Sequence, residues 1–534
     1  MMNDQSSGSR FRTQCLSQPD SGCYRSLLVL TILAGLGLRL AAVWYAQGYH
    51  HFMINDEVNA LGYILAWLNG DEHAWYLAQP AFNEGKLPGP LWTLFGVVLF
   101  KLGGNTAEGA LYWMAFINSL TVFFIYRLAR QLFTPALALA TAAIYALAPW
   151  TIYYSYGLYN PVPLDLIGVL LFLAVWQTIN NHKSRQVFWV PLLCAVIPQF
   201  HMIGVFIAPA VLLVLLLSVR RLNWRWFAMG VVAGIVLYLP YLIGDMQNGW
   251  QNLRAMASSS EVREYSASVL KIITAPATVL SSVPAGWSGD GLEPIKEYGD
   301  RWFGAFAVLA VLAVWTLLHS FVFLFHFARR VAVSISKHNG RVGTAMKAEM
   351  PVMFIGLLVL VPLLLFLLTG HNFSTRYAII LFPLLFLLPG LFLQSLDNPR
   401  AKKYWFGSLL IIGLFNLYLV GSYYAHQQQR FAENQEFMPS FRTLATIHRT
   451  LESESGSDRS FNVILSPQLQ ETLPHFDYKL VYTIQQYVRF WQESPRARER
   501  PADITYIIES AEGLQPGRVV YRHGNIVIRR AAGQ

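Results

Sequence analysis

The run His50-His51-Phe52-Met53-Ile54-Asn55-Asp56-Glu57 follows directly on the first strongly apolar segment of the chain. It sets two carboxylates where hydrocarbon gives way to water. A charge in that position is costly and is generally kept for a function. A carboxylate there can accept the proton of an attacking hydroxyl, or serve a divalent ion as an oxygen ligand. Asp56 and Glu57 are therefore the candidate catalytic pair. Asp56 has a second reading, as the N-cap of the helix that follows. Val58, Leu61, Leu65 and Leu68 recur at helical spacing up to Asn69-Gly70, a C-cap signal. Adjacent helical residues point in different directions, so Glu57 has a separate task, holding the acceptor or an ion.

Other candidates lie at comparable depth. Asn83-Glu84-Gly85-Lys86-Leu87-Pro88-Gly89-Pro90 offers a second carboxylate and a cation before a Pro/Gly corner. Arg376 opens a later apolar segment, and His201 sits beside Gln199 between two others. Lys86 and Arg376 suit either phosphate, through charge-assisted hydrogen bonds, or interfacial snorkelling. Arg39 falls inside the first apolar run. By cost it should face the bundle interior and pair there, as a structural partner or as a substrate contact. Glu57, Glu84 and His201 make an oxygen-plus-imidazole set compatible with Mg²⁺, Mn²⁺ or Zn²⁺. No motif for an organic cofactor is present. The aromatic stretch Tyr153–Asn160 reads as an interfacial belt or as a stacking platform.

The elements that position these residues are membrane spans. Of 534 residues, 54% are hydrophobic and 13% are charged, against roughly 25% charged in soluble chains. A soluble protein is excluded. The three cysteines have neither metal spacing nor a disulfide framework. No basic-aromatic pattern for nucleic acid is present, and the net charge of +10 comes from short loops.

Apolar runs fall near 27–46, 109–128, 136–154, 163–180, 187–200, 202–219, 226–244, 302–328, 351–370, 377–396 and 404–424. These predict about eleven spans of about 20 residues each. The run at 27–46 has no cleavage signal and reads as an uncleaved first span. Segment 88–102 is short and bracketed by Pro and Gly, and charge decides its placement. If it does not cross, Arg10, Arg25, Arg127, Arg130, Lys183, Arg220, Arg221, Arg329, Arg330, Lys347, Arg400 and Lys403 all fall on one side, the cytoplasmic one. Segment 88–102 is then a juxtamembrane or re-entrant helix on the outer face.

The predicted fold is a mainly α, polytopic membrane helix bundle with outer juxtamembrane helices and a small C-terminal α/β domain. Residues 1–26 form a disordered cytoplasmic tail, and 27–424 the transmembrane domain with outer loops 47–108 and 245–301. Residues 425–534 form the extracytoplasmic α/β domain, with strands near Phe461–Leu465, Leu480–Thr483 and Ile504–Ile508 and a hairpin from Val519 to Ile528.

The acidic pair after the first span, followed by the Glu84-Gly85-Lys86 corner, resembles the polyprenyl-phosphate-dependent glycosyltransferases of the GT-C class. Within that class the chain is similar to the family 39 branch, which contains protein O-mannosyltransferases and bacterial lipid A aminoarabinose transferases. Tyr159-Asn160-Pro161, Pro198-Gln199-Phe200-His201, Pro240-Tyr241-Leu242 and Arg376-Tyr377 fit a bacterial subgroup. The resemblance covers residues 30–425. The corner reads Leu87-Pro88-Gly89-Pro90, without the His-Pro-Pro of protein mannosyltransferases. That turns the expected acceptor from protein to lipid or glycan.

The resemblance implies a multi-pass protein of the plasma (inner) membrane with an extracytoplasmic site. A polyprenyl-phosphate sugar donor loses its sugar to an acceptor hydroxyl in one inverting displacement. Glu84, Lys86, Arg39, Arg376, Tyr377 and Asn160 are the implied substrate-binding residues, and membrane lipids surround the site. Phosphate leaves readily, so no acid is required, unlike the paired carboxylates of glycosidases. A polytopic transporter is the first rival, but the internal repeats of that class are not visible. An envelope-assembly protein without catalysis is the second, and it leaves the acidic pair unexplained.

Overall fold

The computed structural model describes residues 22–46, 54–70, 87–180, 185–218, 222–258, 303–339, 349–369, 375–434, 461–466, 504–510, 518–523 and 526–531, with short pieces between 446 and 454. At some helical positions, Asp56, Arg376 and Tyr377 among them, the description stops at the backbone.

Helix α1 (Gly22–Ala46) is followed by α2 (Ile54–Leu68), α3 (Leu91–Leu102) and α4 (Ala107–Leu132). Alpha-helical spacing in α2 buries Ala60, Leu61, Ile64 and Leu65, and this face packs on α3. Gly96 permits the contact, since a Cβ there would fall 2.4 Å from Ile64 Cδ1. Helix α2 ends as its sequence signal predicts, with Gly70 at φ +80°, the left-handed region glycine adopts without penalty. Segment 88–102 is a short helix packed against α2 and α4. Thr106 caps α4, its Oγ1 accepting from Gly109 N at 3.0 Å.

The expected span 136–154 is not continuous. It divides into α5 (Pro135–Leu147) and α6 (Pro149–Tyr153), with Ala148 extended at φ −73°, ψ 134° between them. Pro149 is the physical cause, because a proline ring pushes the preceding residue out of the helical region. Helices α7 (Leu164–Asn180), α8 (Trp189–Phe200), α9 (Ile207–Ser218), α10 (Trp224–Gln247) and α11 (Gln251–Ser258) follow. Helix α12 (Phe303–Lys337) runs beyond its expected apolar core, and α13 (Met350–Thr369) coincides with its expected span to within a residue.

The expected span 377–396 is also segmented, into a 3₁₀ turn Thr375–Leu381, α14 (Phe382–Leu385) and α15 (Leu388–Ser395). Pro383 and Pro389 open the two short helices. Residues 378–393 are buried without interruption, so this piece runs through the protein interior. Helix α16 (Pro399–Asn434) continues past residue 424.

Among the described residues, six stretches are long and apolar enough to cross a membrane: Tyr24–Tyr45, Ala107–Leu132, Trp224–Gln247, Leu318–Lys337, Met350–Leu368 and Ala378–Ser395. Shorter apolar helices at Leu91–Leu102, Pro135–Leu147, Leu164–Asn180 and Met202–Leu217 add to the bundle. The chain is thus a mainly α membrane bundle with a small sheet. That sheet holds β1 (Phe461–Leu465), β2 (Ile504–Ser510), β3 (Val519–His523) and β4 (Ile526–Arg530) in the order β1-β2-β4-β3. β1 and β2 are parallel, with Phe461 opposite Ile504; the other pairings are antiparallel. The expected strand Leu480–Thr483 lies outside the described residues.

Candidate active site

Helix α2 starts at Ile54, which puts Asp56 inside the first turn and not at the N-cap. Asp56 and Glu57 therefore share the end of α2 where unpaired backbone N–H groups make a carboxylate favourable. Glu57 is buried, at 3% exposure. It lies against Gly157, where an added Cβ would sit 2.5 Å from Glu57 Oε1. The backbone at Gly157 has φ +111°, so two constraints favour glycine there: the conformation and the carboxylate beside it.

The other sequence pieces converge. Gly89, at the corner into α3, has φ +135° and approaches Gln199 so closely that a Cβ would fall 2.2 Å from Gln199 Oε1. Gln199 is fully buried. Asn160 is buried and its Nδ2 donates to the Phe200 carbonyl at 2.8 Å. Phe200 packs edge-on against Trp92 and Phe95 of α3, at 6.1 Å and 5.7 Å between ring centres. Corner, Asn160 segment and Gln199-Phe200 segment are thus one packed unit, although they lie far apart in the chain. The next residue, His201, accepts from Ile203 N through Nδ1 at 3.2 Å and so caps a 3₁₀ turn.

Arg39 is wholly buried. Its Nη1 donates to the carbonyls of Gly35 and Ala146 at 3.0 Å and 3.3 Å, and Nη2 donates to Thr151 Oγ1 at 3.2 Å. Its guanidinium lies 5.5 Å from the Tyr145 ring centre. Tyr145 in turn donates its hydroxyl to Asp165 Oδ2, and Asp165 Oδ1 accepts from Leu166 N at 2.7 Å. Both Arg39 Nη atoms and the Asp165 carboxylate are paired inside the protein, as interior charges must largely be, while the buried Arg39 Nε has no hydrogen-bond partner among the described residues. Of the two readings of Arg39, its contacts match the structural partner. Arg39 through its two Nη atoms and Asn160 through its Nδ2 are each bonded to protein groups. Tyr145 and Asp165 were missed in the sequence, where a single acidic residue at a helix start resembles an ordinary cap.

The aromatic stretch is neither a belt nor an open platform. Tyr153, Tyr154, Tyr156 and Tyr159 are all buried, at 0–3% exposure. Trp150 stacks on Tyr154, with ring centres 5.4 Å apart, and the hydroxyls of Tyr156 and Tyr424 bond to each other. Asn118 of α4 donates through Nδ2 to the carbonyls of both Ser155 and Val162, at 2.9 Å and 3.3 Å. The break at Pro149 turns this chain segment inward, which a continuous helix would not have done.

Glu84 and Lys86 lie outside the described residues, as do the side chains of Asp56, Arg376 and Tyr377. Among the described residues, no group of three or more His, Cys, Asp or Glu side chains is placed to hold a metal ion. Glu57 and His201 would need Glu84, or another ligand outside that set, to complete one.

Residues 87–243 match the family model described as dolichyl-phosphate-mannose-protein mannosyltransferase. The matched stretch runs from the Leu87 corner through α10 and so contains the Asn160 and Gln199-Phe200 segments. A search of curated proteins finds no match. Among solved structures, ArnT from Cupriavidus metallidurans in the apo state superposes with a TM-score of 0.54 at 14% identity, covering 95% of this chain and 98% of that one. ArnT bound to undecaprenyl phosphate gives 0.52 at 11% identity, with the same coverage. Identity at this level speaks for the fold. The chain has the fold of ArnT, and residues 87–243 match a glycosyltransferase family model.

Proposed function

We propose that the protein moves a sugar from a polyprenyl phosphate to a hydroxyl of a lipid or glycan on the extracytoplasmic face. The observation that carries this reading is the acidic first turn of α2. It lies against the Gly157 segment, which the matched region 87–243 contains, in a chain sharing the fold of ArnT. The ArnT structure with undecaprenyl phosphate supports a donor of that chemical class.

In this reading Asp56 takes the acceptor proton as the acceptor oxygen bonds to C1 of the sugar. The bond from C1 to the phosphate oxygen breaks on the opposite face, and its electrons leave with the phosphate. The anomeric centre inverts. Glu57, fixed against Gly157, orients the acceptor or a divalent ion completed by Glu84 and His201. Lys86 and Arg376 neutralise the leaving phosphate. The missing His-Pro-Pro at the corner favours a lipid or glycan acceptor over protein.

Two expected results follow from this arrangement. Lys86→Ala and Arg376→Ala should each weaken donor use and spare acceptor use. Arg376→Lys should recover Arg376→Ala only partly, because lysine offers a point charge where arginine forks. Donor titrations in defined lipid read this directly, and an unchanged donor dependence in both variants would leave these cations with snorkelling alone.

The second concerns sidedness. In a cysteine-free background, cysteine at Gly104 or Gly456 should label from outside the cell and cysteine at Asn181 should not. At Gly103 a Cβ would fall 2.4 Å from the Ala110 nitrogen; Gly104 has open space around it, and its φ of +72° makes cysteine there mildly strained, so folding of the Gly104 reporter is checked first. Protection at Gly104 with labelling at Asn181 would overturn the topology.

A further inference from the structure

Asn118 has no part in the reading above, yet it touches the loop that meets Glu57. It is fully buried in α4. Its Nδ2 donates to Ser155 and Val162, the residues that flank Gly157 two positions before and five after. Its Oδ1 is buried and has no hydrogen-bond partner among the described residues. The amide cannot turn over to satisfy that oxygen, because two carbonyls would then face it. An apolar residue of the same size would avoid an unmet acceptor. Asparagine here serves two loop carbonyls and leaves one acceptor unmet, so its amide acts on the loop.

The loop it holds is pinned elsewhere too. The Tyr156 hydroxyl bonds to that of Tyr424 on α16, and Asn160 bonds to the Phe200 carbonyl at the end of α8. Between these anchors Gly157, at φ +111°, presents bare backbone to the Glu57 carboxylate, close enough that a methyl group would fall 2.5 Å from Oε1. Three helices thus fix one glycine, and that glycine fixes one side of the acidic turn.

We propose that Asn118 is a positioning residue: by clamping Ser155 and Val162 it holds Gly157 against Glu57 and so sets the aim of the Asp56-Glu57 turn. The proposal rests on the transferase reading for its kinetic consequence and on geometry alone for the clamp, so the two are tested separately.

The clamp is tested on the full chain in lipid nanodiscs, with Cys15, Cys23 and Cys194 replaced by Ser and a single Glu57→Cys reporter. Modification by a small cationic methanethiosulfonate should be slow with Asn118 present and several-fold faster with Asn118→Ala. Kinetics use native Glu57. Asn118→Ala, and Asn118→Asp, which turns the donor into an acceptor facing two carbonyls, should lower kcat per folded molecule by about 10²-fold. Donor KM should stay near the wild-type value. Gly157→Ala, which moves the carboxylate without touching Asn118, should give the same split.

Unchanged reporter reactivity would overturn the clamp. Faster reactivity with wild-type kcat would overturn the positioning role. A purely structural Asn118 would lower thermal stability and leave kcat per folded molecule unmoved, which also contradicts the proposal. If the wild-type protein transfers no sugar, the transferase reading fails, and the reporter still decides the clamp.

Discussion

Asp56→Asn should abolish sugar transfer while leaving expression and donor binding intact. Loss of a general base costs about 10²–10⁴ in rate, which at about 1.4 kcal/mol per tenfold is roughly 3–5.5 kcal/mol of transition-state stabilisation. The competing explanation is structural, and its size is much smaller. Asp56 lies within the first turn of α2, where a carboxylate gains about 0.3–1 kcal/mol from the helix end. Asparagine fits the same volume, and Glu57 remains in the turn. A stability effect of that size would leave most molecules folded and active. Initial rates at saturating donor, normalised to folded protein, separate the two. Near-normal turnover would leave Asp56 a helix-end role only.

Arg39→Met should be severely destabilising. The change keeps length and apolar bulk. It removes the hydrogen bonds to Gly35, Ala146 and Thr151 and the contact over Tyr145. It also removes the cation whose field acts on the buried Asp165. Removing one member of a buried charged set typically costs about 3–5 kcal/mol, a large share of a typical folding free energy of about 5–15 kcal/mol. Heating in mild detergent, followed by size-exclusion chromatography, should show aggregation at a lower temperature than for the wild type. Apolar replacement of the whole set is often neutral, so Asp165→Leu should restore part of the stability lost in Arg39→Met. If Arg39 served the donor instead, Arg39→Met would keep its stability and raise donor KM.

Helices were legible in this sequence wherever apolar periodicity ran unbroken. The end of α2 at Asn69-Gly70, the short α3 within 88–102 and the strand Phe461–Leu465 stand where residue pattern alone puts them, and the strand expected at Ile504–Ile508 extends to Ser510. The breaks were harder to see. Hydropathy does not fall at Pro149, Pro383 or Pro389, yet each ends or opens a helix. A window averaging apolarity passes over a proline that the backbone cannot ignore. The interior partners were not visible at all. Arg39 and Thr151 are 112 positions apart, and Asn118 and Ser155 are 37 apart. No local pattern encodes those separations, because the broken α5–α6 helix creates the contacts. The same break buries Tyr153–Tyr159, whose composition reads equally well as an interfacial belt. For the acidic turn the residue types carried the signal, and the structure added its neighbour, Gly157.

The central claim is that a polyprenyl phosphate gives up its sugar here to an extracytoplasmic acceptor. Mass spectrometry of envelope lipids and glycans tests it most directly, in a strain lacking the protein and in the same strain carrying the wild-type chain or Asp56→Asn. One sugar-modified lipid or glycan should vanish in the deletion, with accumulation of the matching polyprenyl-phosphate sugar. The wild-type chain should restore the profile, and Asp56→Asn should not. An unchanged profile in the deletion, or full restoration by Asp56→Asn, would contradict the claim.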